Sequence, residues 1–325
     1  MGWLIALALA SVASDPSLAR YEKTEIHMGS SFTIVLYAPS EEAANRALAA
    51  AFARIKQLDE SLSDYREESE LSCLSAAAPT REPVAVSEDL WRVLSRAQEV
   101  SKLSDGAFDV TVGPLTRLWR RSRRQRELPT DERLAEARAA VGYQHLKLQS
   151  PGRRVSLELP RMRLDLGGIG QGFAADEALG VLRRQGLTRA LVNASGDIAI
   201  GDPPPDSTGW KVGVTSLKRD VPPTRFVHLS NTAISTSGDL FQFVEIGGRR
   251  YSHIVDPKTG LGLTRRSSVT VIAPDCTGAD ALATTFSVMP VERTIELADR
   301  LPGVAVLVLL EQDGVVREVA SSRWK

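Results

Sequence analysis

Between residues 210 and 250 the chain carries four short strand-like runs with no helical pattern between them. They are Lys211–Val214, Arg225–Leu229, Ala233–Thr236 and Phe241–Ile246. A doubly wound parallel sheet alternates strand with helix, so this block points to an α+β fold. Amphipathic helical spacing appears elsewhere. Ser40–Leu62 repeats Ala44, Leu48, Ala51, Phe52, Ile55 and Leu58, and Ser87–Leu103 repeats Leu90, Val93, Leu94, Ala97 and Val100. Phe173–Arg184, Ala279–Val288 and Val291–Arg300 also read as helices. Ser31–Tyr37, Val155–Leu159, Met162–Leu166, Ala190–Asn193 and Val269–Ala273 read as strands. Val304–Leu310 and Val315–Val319 flank Asp313-Gly314 with hairpin spacing.

No linker divides the 325 residues cleanly, and they are enough to bury a sizeable core. Pro203–Pro205 and Arg117–Thr130 read as surface excursions. The chain has 40 basic and 40 acidic residues, a formal net charge of zero, which argues against a general nucleic-acid binder. Six arginines crowd between Arg117 and Arg126, but only Trp119 interleaves, and Glu127, Asp131 and Glu132 follow. That pattern reads as a solvated face. Two cysteines, Cys73 and Cys276, cannot make a disulfide framework or a cysteine zinc site, and no histidine pair has metal-binding spacing.

Trp3–Ala13 is an apolar run too short to span a bilayer as a helix. With Ser11-Val12-Ala13 as small residues for cleavage, it reads as a signal peptide. Residues 1–20 are therefore set apart from a domain of residues 21–325.

Four constellations could carry chemistry. Leu164–Ala178 runs from a strand through Gly167, Gly168, Gly170 and Gly172 into a helix. Such a loop can cradle phosphates, or it can be a plain tight turn. Tyr251–Gly260 sets His253 three residues before Asp256-Pro257. The pair could supply a general base beside a carboxylate, or only a turn and a packed ring. Asp280 and Thr284 share a helix face and could both bind Mg²⁺. Thr277 with Asp280 equally fits a helix-capping pattern. Ser195-Gly196-Asp197 and Ser237-Gly238-Asp239 are either turns or two halves of a pocket.

In this order the stretches resemble the ApbE family, the FAD:protein FMN transferases, from about Met28 to the C-terminus. The matching residues are Met28-Gly29-Ser30, Ser61-Leu62-Ser63-Asp64-Tyr65, Ser69-Glu70-Leu71-Ser72 and Gly106–Leu115. Asp165–Ile169, Val192–Asp197, Ser235–Asp239, Ser252–Pro257 with Thr259-Gly260, and Ala279-Asp280-Ala281 with Ala283-Thr284 complete them.

The resemblance implies a single α+β domain with a T-fold-like core. It implies Mg²⁺-dependent transfer of the FMN half of FAD to a threonine or serine hydroxyl of an acceptor redox protein, with release of AMP. Alternatives are hydrolysis of FAD to FMN and AMP, and FAD binding without catalysis. By resemblance the metal ligands are Asp280, Thr284 and the Gly170 carbonyl. His253 activates the acceptor hydroxyl with Asp256 beside it. Met28, Tyr65, Asp109, Gly167, Gly168, Ser237 and His253 contact FAD. The resemblance also implies an exported, periplasmic or envelope protein, with no nucleic-acid partner. Membrane association through the acceptor and the oligomeric state stay open. Three departures stand out: Gln171 where the family has lysine, Ser75 where it has asparagine, and Leu240-Phe241-Gln242 in place of an aromatic-basic pattern.

Overall fold

The computed structural model describes residues 18–214, 216, 217, 221–240, 242–312 and 314–324. The first elements are β1 (Ala19–His27), β2 (Ser30–Ala38), α1 (Glu41–Leu62), α2 (Glu70–Ala76), β3 (Val84–Ala85) and α3 (Glu88–Leu103). Next come α4 (Gly113–Gln125), α5 (Asp131–Arg138), β4 (Leu146–Gln149), β5 (Arg154–Leu157) and α6 (Gly170–Arg184). Then follow β6 (Ala190–Ala194), β7 (Asp197–Ile200), β8 (Trp210–Val214), β9 (Arg225–Leu229) and β10 (Thr232–Gly238). The last are β11 (Phe243–Ile246), β12 (Arg249–Ser252), β13 (Ser267–Ala273), α7 (Cys276–Val288), α8 (Val291–Arg300), β14 (Ala305–Gln312) and β15 (Val315–Ala320).

The α+β expectation holds. An antiparallel eight-stranded sheet has the order β1-β2-β6-β7-β10-β13-β14-β15. Helices α1, α6 and α7 pack against it and against one another, the T-fold-like arrangement the resemblance implies. Period two decides the faces. Phe32, Ile34 and Leu36 of β2 face the helices, opposite Ala194, Val192 and Ala190 of β6. Val35, between them, joins Ile200, Trp210, Val212 and Ile234 on the other face, which the β8–β9 hairpin covers. Each fully buried aliphatic or aromatic side chain contributes about 1.5–3 kcal/mol. A one-residue slip would turn the whole set to the wrong face, so the register is fixed.

The helix starts follow capping chemistry. Ser40 accepts from Ala43 N–H, and Ser87 accepts from Leu90 N–H. Met28 and Gly29, both at positive φ, form the tight turn between β1 and β2. Ser195 and Gly196 do the same between β6 and β7. Ser237 and Gly238 instead lie inside β10, so the two Ser-Gly-Asp triplets are not equivalent.

Three expectations are corrected. Residues 162–166 are not a strand. Met162, Leu164 and Leu166 alternate inward, but their partner is the loop before α4, through one bridge between Val112 and Arg163. The stretch 117–125 is no loose excursion, because Leu115, Trp119 and Ser122 bury one face of α4. The six arginines hid that spacing. Strand β1 begins at Ala19, inside the segment set aside from the domain, and its alternation is weakened by Arg20, Glu22, Lys23 and Glu25. The two cysteines, whose pairing the sequence left open, are free thiols, Cys73 exposed and Cys276 buried. The hairpin of β14 and β15 stands as expected, pairing Gln312 with Val315. Asp313, Phe241 and residues 1–17 lie outside the described residues.

Candidate active site

The site is built where α6 meets α7. The glycine loop enters α6 without a side-chain cap, so first-turn N–H groups need outside acceptors. Asp280 of α7 supplies one, its Oδ2 accepting from Gly172 N–H at 3.0 Å. The approach is close enough that only glycine fits at 172. An added Cβ would stand 2.3 Å from the Cys276 carbonyl oxygen. The capping-box reading of Thr277 and Asp280 is therefore overturned. Asp275 caps α7 by accepting from Gly278 N–H at 2.6 Å. The Thr277 hydroxyl donates to Asp176 of α6 at 2.6 Å. The Asp280 carboxylate is left for the neighbouring helix.

Asp280 is only 4 % exposed. Burial, and then the nearby Asp197 charge, push its carboxyl well above the usual range, with the Gly172 N–H opposing. No lysine or arginine enters this balance. Burial also raises the Asp197 carboxyl to about 6, against a 2.6 Å bond from the Ser235 hydroxyl. Buried negative charge without a cationic neighbour is costly. Thr284, one turn beyond Asp280, lies 3.4 Å from the Ser237 hydroxyl. A Cβ on Gly168 would stand 3.0 Å from Thr284 Oγ1. A carboxylate and hydroxyls around a glycine backbone are hard oxygen donors, the set that suits Mg²⁺.

Asp165 anchors the other side of the glycine loop. Its Oδ1 accepts from Gly167 N–H at 2.8 Å. Its Oδ2 accepts from the Thr116 hydroxyl at 2.6 Å and from Arg120 at 2.9 Å. Arg120 of α4 also bonds Asp64 and lies 4.4 Å from the centre of the Tyr65 ring. Tyr65 is 75 % exposed and offers a flat, supported aromatic face. Sequence reasoning missed Arg120, which looks like its five neighbours until its contacts single it out.

Asp109 turns into its own loop, accepting from Thr111 N–H, the Thr111 hydroxyl and Tyr143 N–H. It fixes the segment whose Phe108 ring comes within 3.3 Å of a Cβ built on Gly168. Met28 sits in the β1–β2 turn, partly buried against the main core. Gln171 donates to the Ser30 hydroxyl at 2.9 Å, tying the glycine loop to that turn.

His253 follows β12. Its Nδ1 lies 3.2 Å from the Gln242 carbonyl oxygen, and its backbone N–H donates to the same oxygen at 3.0 Å. A carbonyl only accepts, so Nδ1 carries the proton and Nε2 is left as a base. Burial lowers its pKa below the ordinary histidine value. The Gln242 bond opposes that shift, and the Arg123 charge adds to it. The imidazole is thus neutral at pH 7. Asp256 accepts from Lys258 N–H at 2.8 Å within the Asp-Pro turn, and no hydrogen bond links it to His253 among the described residues. Trp119 of α4 holds the strand before His253, donating from Nε1 to the Ser252 carbonyl at 3.0 Å.

A separate cavity of about 570 Å³ opens at the other end of the α6–α7 seam, lined by Trp91, Arg92, Phe173 and Asp275 among others. Of its arginines, Arg92 pairs with Glu177 and Arg96 with Asp275, and Arg183 donates to the Asn231 amide oxygen.

The ApbE family model matches residues 28–308. An FAD:protein FMN transferase of Vibrio cholerae is 33 % identical over 330 residues, covering 99 % of this chain and 98 % of the relative. The protein of that name from Haemophilus influenzae is 30 % identical, covering 82 % and 80 %. Among solved structures, the V. cholerae flavin transferase ApbE matches with a TM-score of 0.81 at 31 % identity, covering 94 % of this chain and 98 % of that one. The apo form of the Pseudomonas stutzeri flavinyl transferase ApbE matches at 0.82 with 29 % identity, covering 94 % and 95 %. With the glycine loop, the Asp280 face and the His253 turn all inside the matched span, the chain belongs to the ApbE family.

Proposed function

We propose that this chain is an FAD:protein FMN transferase that moves the FMN half of FAD onto a threonine or serine hydroxyl of an acceptor protein. The carrying observation is the buried Asp280 carboxylate, fixed to the glycine loop with no cationic side chain among the described residues to offset it. Asp280, Thr284 and the Gly170 carbonyl would hold Mg²⁺. When bound, the metal neutralises charge on the diphosphate oxygens.

The chain's own residues do the rest. The glycine backbone admits the diphosphate where a side chain would block it. Arg120 and Tyr65 offer a supported aromatic platform for the flavin. His253 Nε2 takes the acceptor hydroxyl proton as that oxygen attacks the FMN phosphorus. The phosphorus–oxygen bond to the AMP half breaks, and AMP leaves with the bridging oxygen. The neutral imidazole favoured by burial suits this step, because a protonated ring could not accept. Asp256 acts by holding the turn that carries His253.

The apolar run Trp3–Ala13 supports export with residues 1–20 as a signal, and an acceptor in the periplasm or envelope, at the membrane or free of it. Among the described residues, no helix is long and apolar enough to cross a membrane.

The test mixes the chain lacking residues 1–17 with FAD, Mg²⁺ and an acceptor domain carrying a flavinylation threonine. Flavin fluorescence should appear on the acceptor in a denaturing gel and vanish with EDTA or Asp280→Ala. AMP release without a labelled acceptor would replace transfer by FAD hydrolysis. FAD binding with neither product would make the chain a binding module.

A further inference from the structure

The arginine run of α4 has no part in the chemistry above except through Arg120. Arg117, Arg120, Arg121 and Arg124 are spaced i, i+3, i+4, i+7, so they share one helix face. The opposite face is buried through Leu115, Trp119 and Ser122. Arg120, in the middle of the stripe, reaches Asp64 and Asp165 beneath Tyr65. Arg117, Arg121 and Arg124 are exposed. Among the described residues, neither they nor Arg123 and Arg126 have a carboxylate within ion-pair distance, and Arg121 bonds only Gln125. Burial and the neighbouring Arg117 charge together lower the Arg163 pKa, so a further guanidinium stands beside the stripe.

Several arginines elsewhere are paired with carboxylates. Arg54 grips Asp89 and Glu177, Arg225 grips Glu318, and Arg266 grips Glu311. With a net charge of zero, the α4 stripe is a local excess rather than background. Its acidic neighbours include the exposed Glu127, Asp131 and Glu132, none of which pairs with a stripe arginine among the described residues. Asp64 and Asp165 are taken by Arg120, and Glu67 acts on Arg163. The stripe borders the candidate site through Arg120, which lies 4.4 Å from the centre of the Tyr65 ring and bonds the Asp165 carboxylate that holds Gly167 N–H.

We propose that this stripe is the docking surface for an acidic segment of the acceptor protein, flanking the hydroxyl that receives the flavin. The inference rests on the transferase reading, because it concerns that reaction's second substrate. The acceptor must bring its hydroxyl to the candidate site, and Arg120 sets the stripe at its rim beside Tyr65. Exposed charges at such a rim act on encounter and selectivity more than on final affinity. A lipid surface fits less well. A membrane-binding helix inserts an apolar face, and none of the exposed large apolar residues lies on α4.

The test uses the full chain and two fluorescein-labelled peptides with a central threonine. One has Asp and Glu flanking it, and the other has Asn and Gln in their places. Anisotropy should show the acidic peptide binding about tenfold tighter at low salt, with the preference shrinking as salt is raised. Arg117→Glu, Arg121→Glu and Arg124→Glu combined should abolish the preference while leaving FAD binding, read by flavin fluorescence, unchanged. The same three positions changed to Gln should weaken the preference, which guards against misfolding of the reversed chain. Equal binding of both peptides overturns the proposal, as does a preference that survives the triple change. Stripe-dependent binding to anionic phospholipid vesicles without any peptide preference overturns it in favour of a membrane surface. Normal FAD binding in those failures leaves the transferase reading standing. Absent FAD binding overturns that reading, and the docking surface falls with it.

Discussion

Gly172 donates its backbone N–H to Asp280 Oδ2 at 3.0 Å, across a seam where the two helices nearly touch. A Cβ at 172 would stand 2.8 Å from the Asp280 Cβ and 2.3 Å from the Cys276 carbonyl oxygen. The close helix contact and the aim of the carboxylate are thus one feature. Gly172→Ala should force α6 and α7 apart, destabilise the chain by about 1–3 kcal/mol and weaken Mg²⁺-dependent FAD binding. Thermal unfolding and a flavin titration check this. An unchanged Tm with unchanged FAD affinity would refute the close-contact account.

Asp280→Asn should separate stability from function. The amide oxygen can still accept from Gly172, and the buried charge is gone. The metal-free Tm should therefore stay level or rise, because unpaired buried charge is unfavourable. Transfer should be lost, and Mg²⁺ should no longer raise Tm. Retained turnover would remove Asp280 from the metal site.

The same carboxylates set a pH dependence. In the unfolded chain an aspartate titrates near about 3.9. In the folded chain burial raises Asp197 to about 6 and pushes Asp280 well above its ordinary value. A carboxyl raised on folding contributes stability below its unfolded value and loses it as pH rises through the folded value. The metal-free chain should therefore lose stability as pH rises from about 4 through about 6, and Mg²⁺ should raise Tm more at the upper end. Asp197→Asn should flatten the fall. A metal-free Tm that climbs across this window would contradict the burial argument.

His253→Ala should lower the transfer rate by about 10²–10⁴-fold, the usual contribution of a positioned base, with FAD affinity retained. Because burial lowers the His253 pKa, the acid limb of the wild-type rate profile should lie below the ordinary histidine range. A collapse of FAD binding in the variant would make His253 a pocket wall instead.

Gln171 holds the Ser30 hydroxyl at 2.9 Å. A lysine at 171 can donate to the same oxygen and adds positive charge beside the glycine loop. Gln171→Lys should preserve or raise FAD affinity, measured by fluorescence titration. A clear loss would show that the amide's acceptor oxygen is needed.

The sequence alone determined much of the local structure. Period-two alternation in residues 31–37, the apolar run of residues 269–273 and the Ser40 and Ser87 caps are legible because neighbouring residues create them. The ordered stretches from Met28-Gly29-Ser30 through the glycine loop and the His253 turn to Asp280–Thr284 carried the family resemblance. Tertiary structure decided what each group touches. Thr277 and Asp280 have the spacing of a cap, yet their side chains serve α6, because antiparallel packing brings Asp176 and Gly172 against them. Arg120 stands out from five like neighbours only once Asp64 and Asp165, distant in sequence, fold against it. The protonated nitrogen of His253 is fixed by the Gln242 carbonyl across the β11–β12 hairpin. Spacing along a chain reports which residues share a face. Burial, charge balance and hydrogen-bond partners belong to the surfaces that folding brings together.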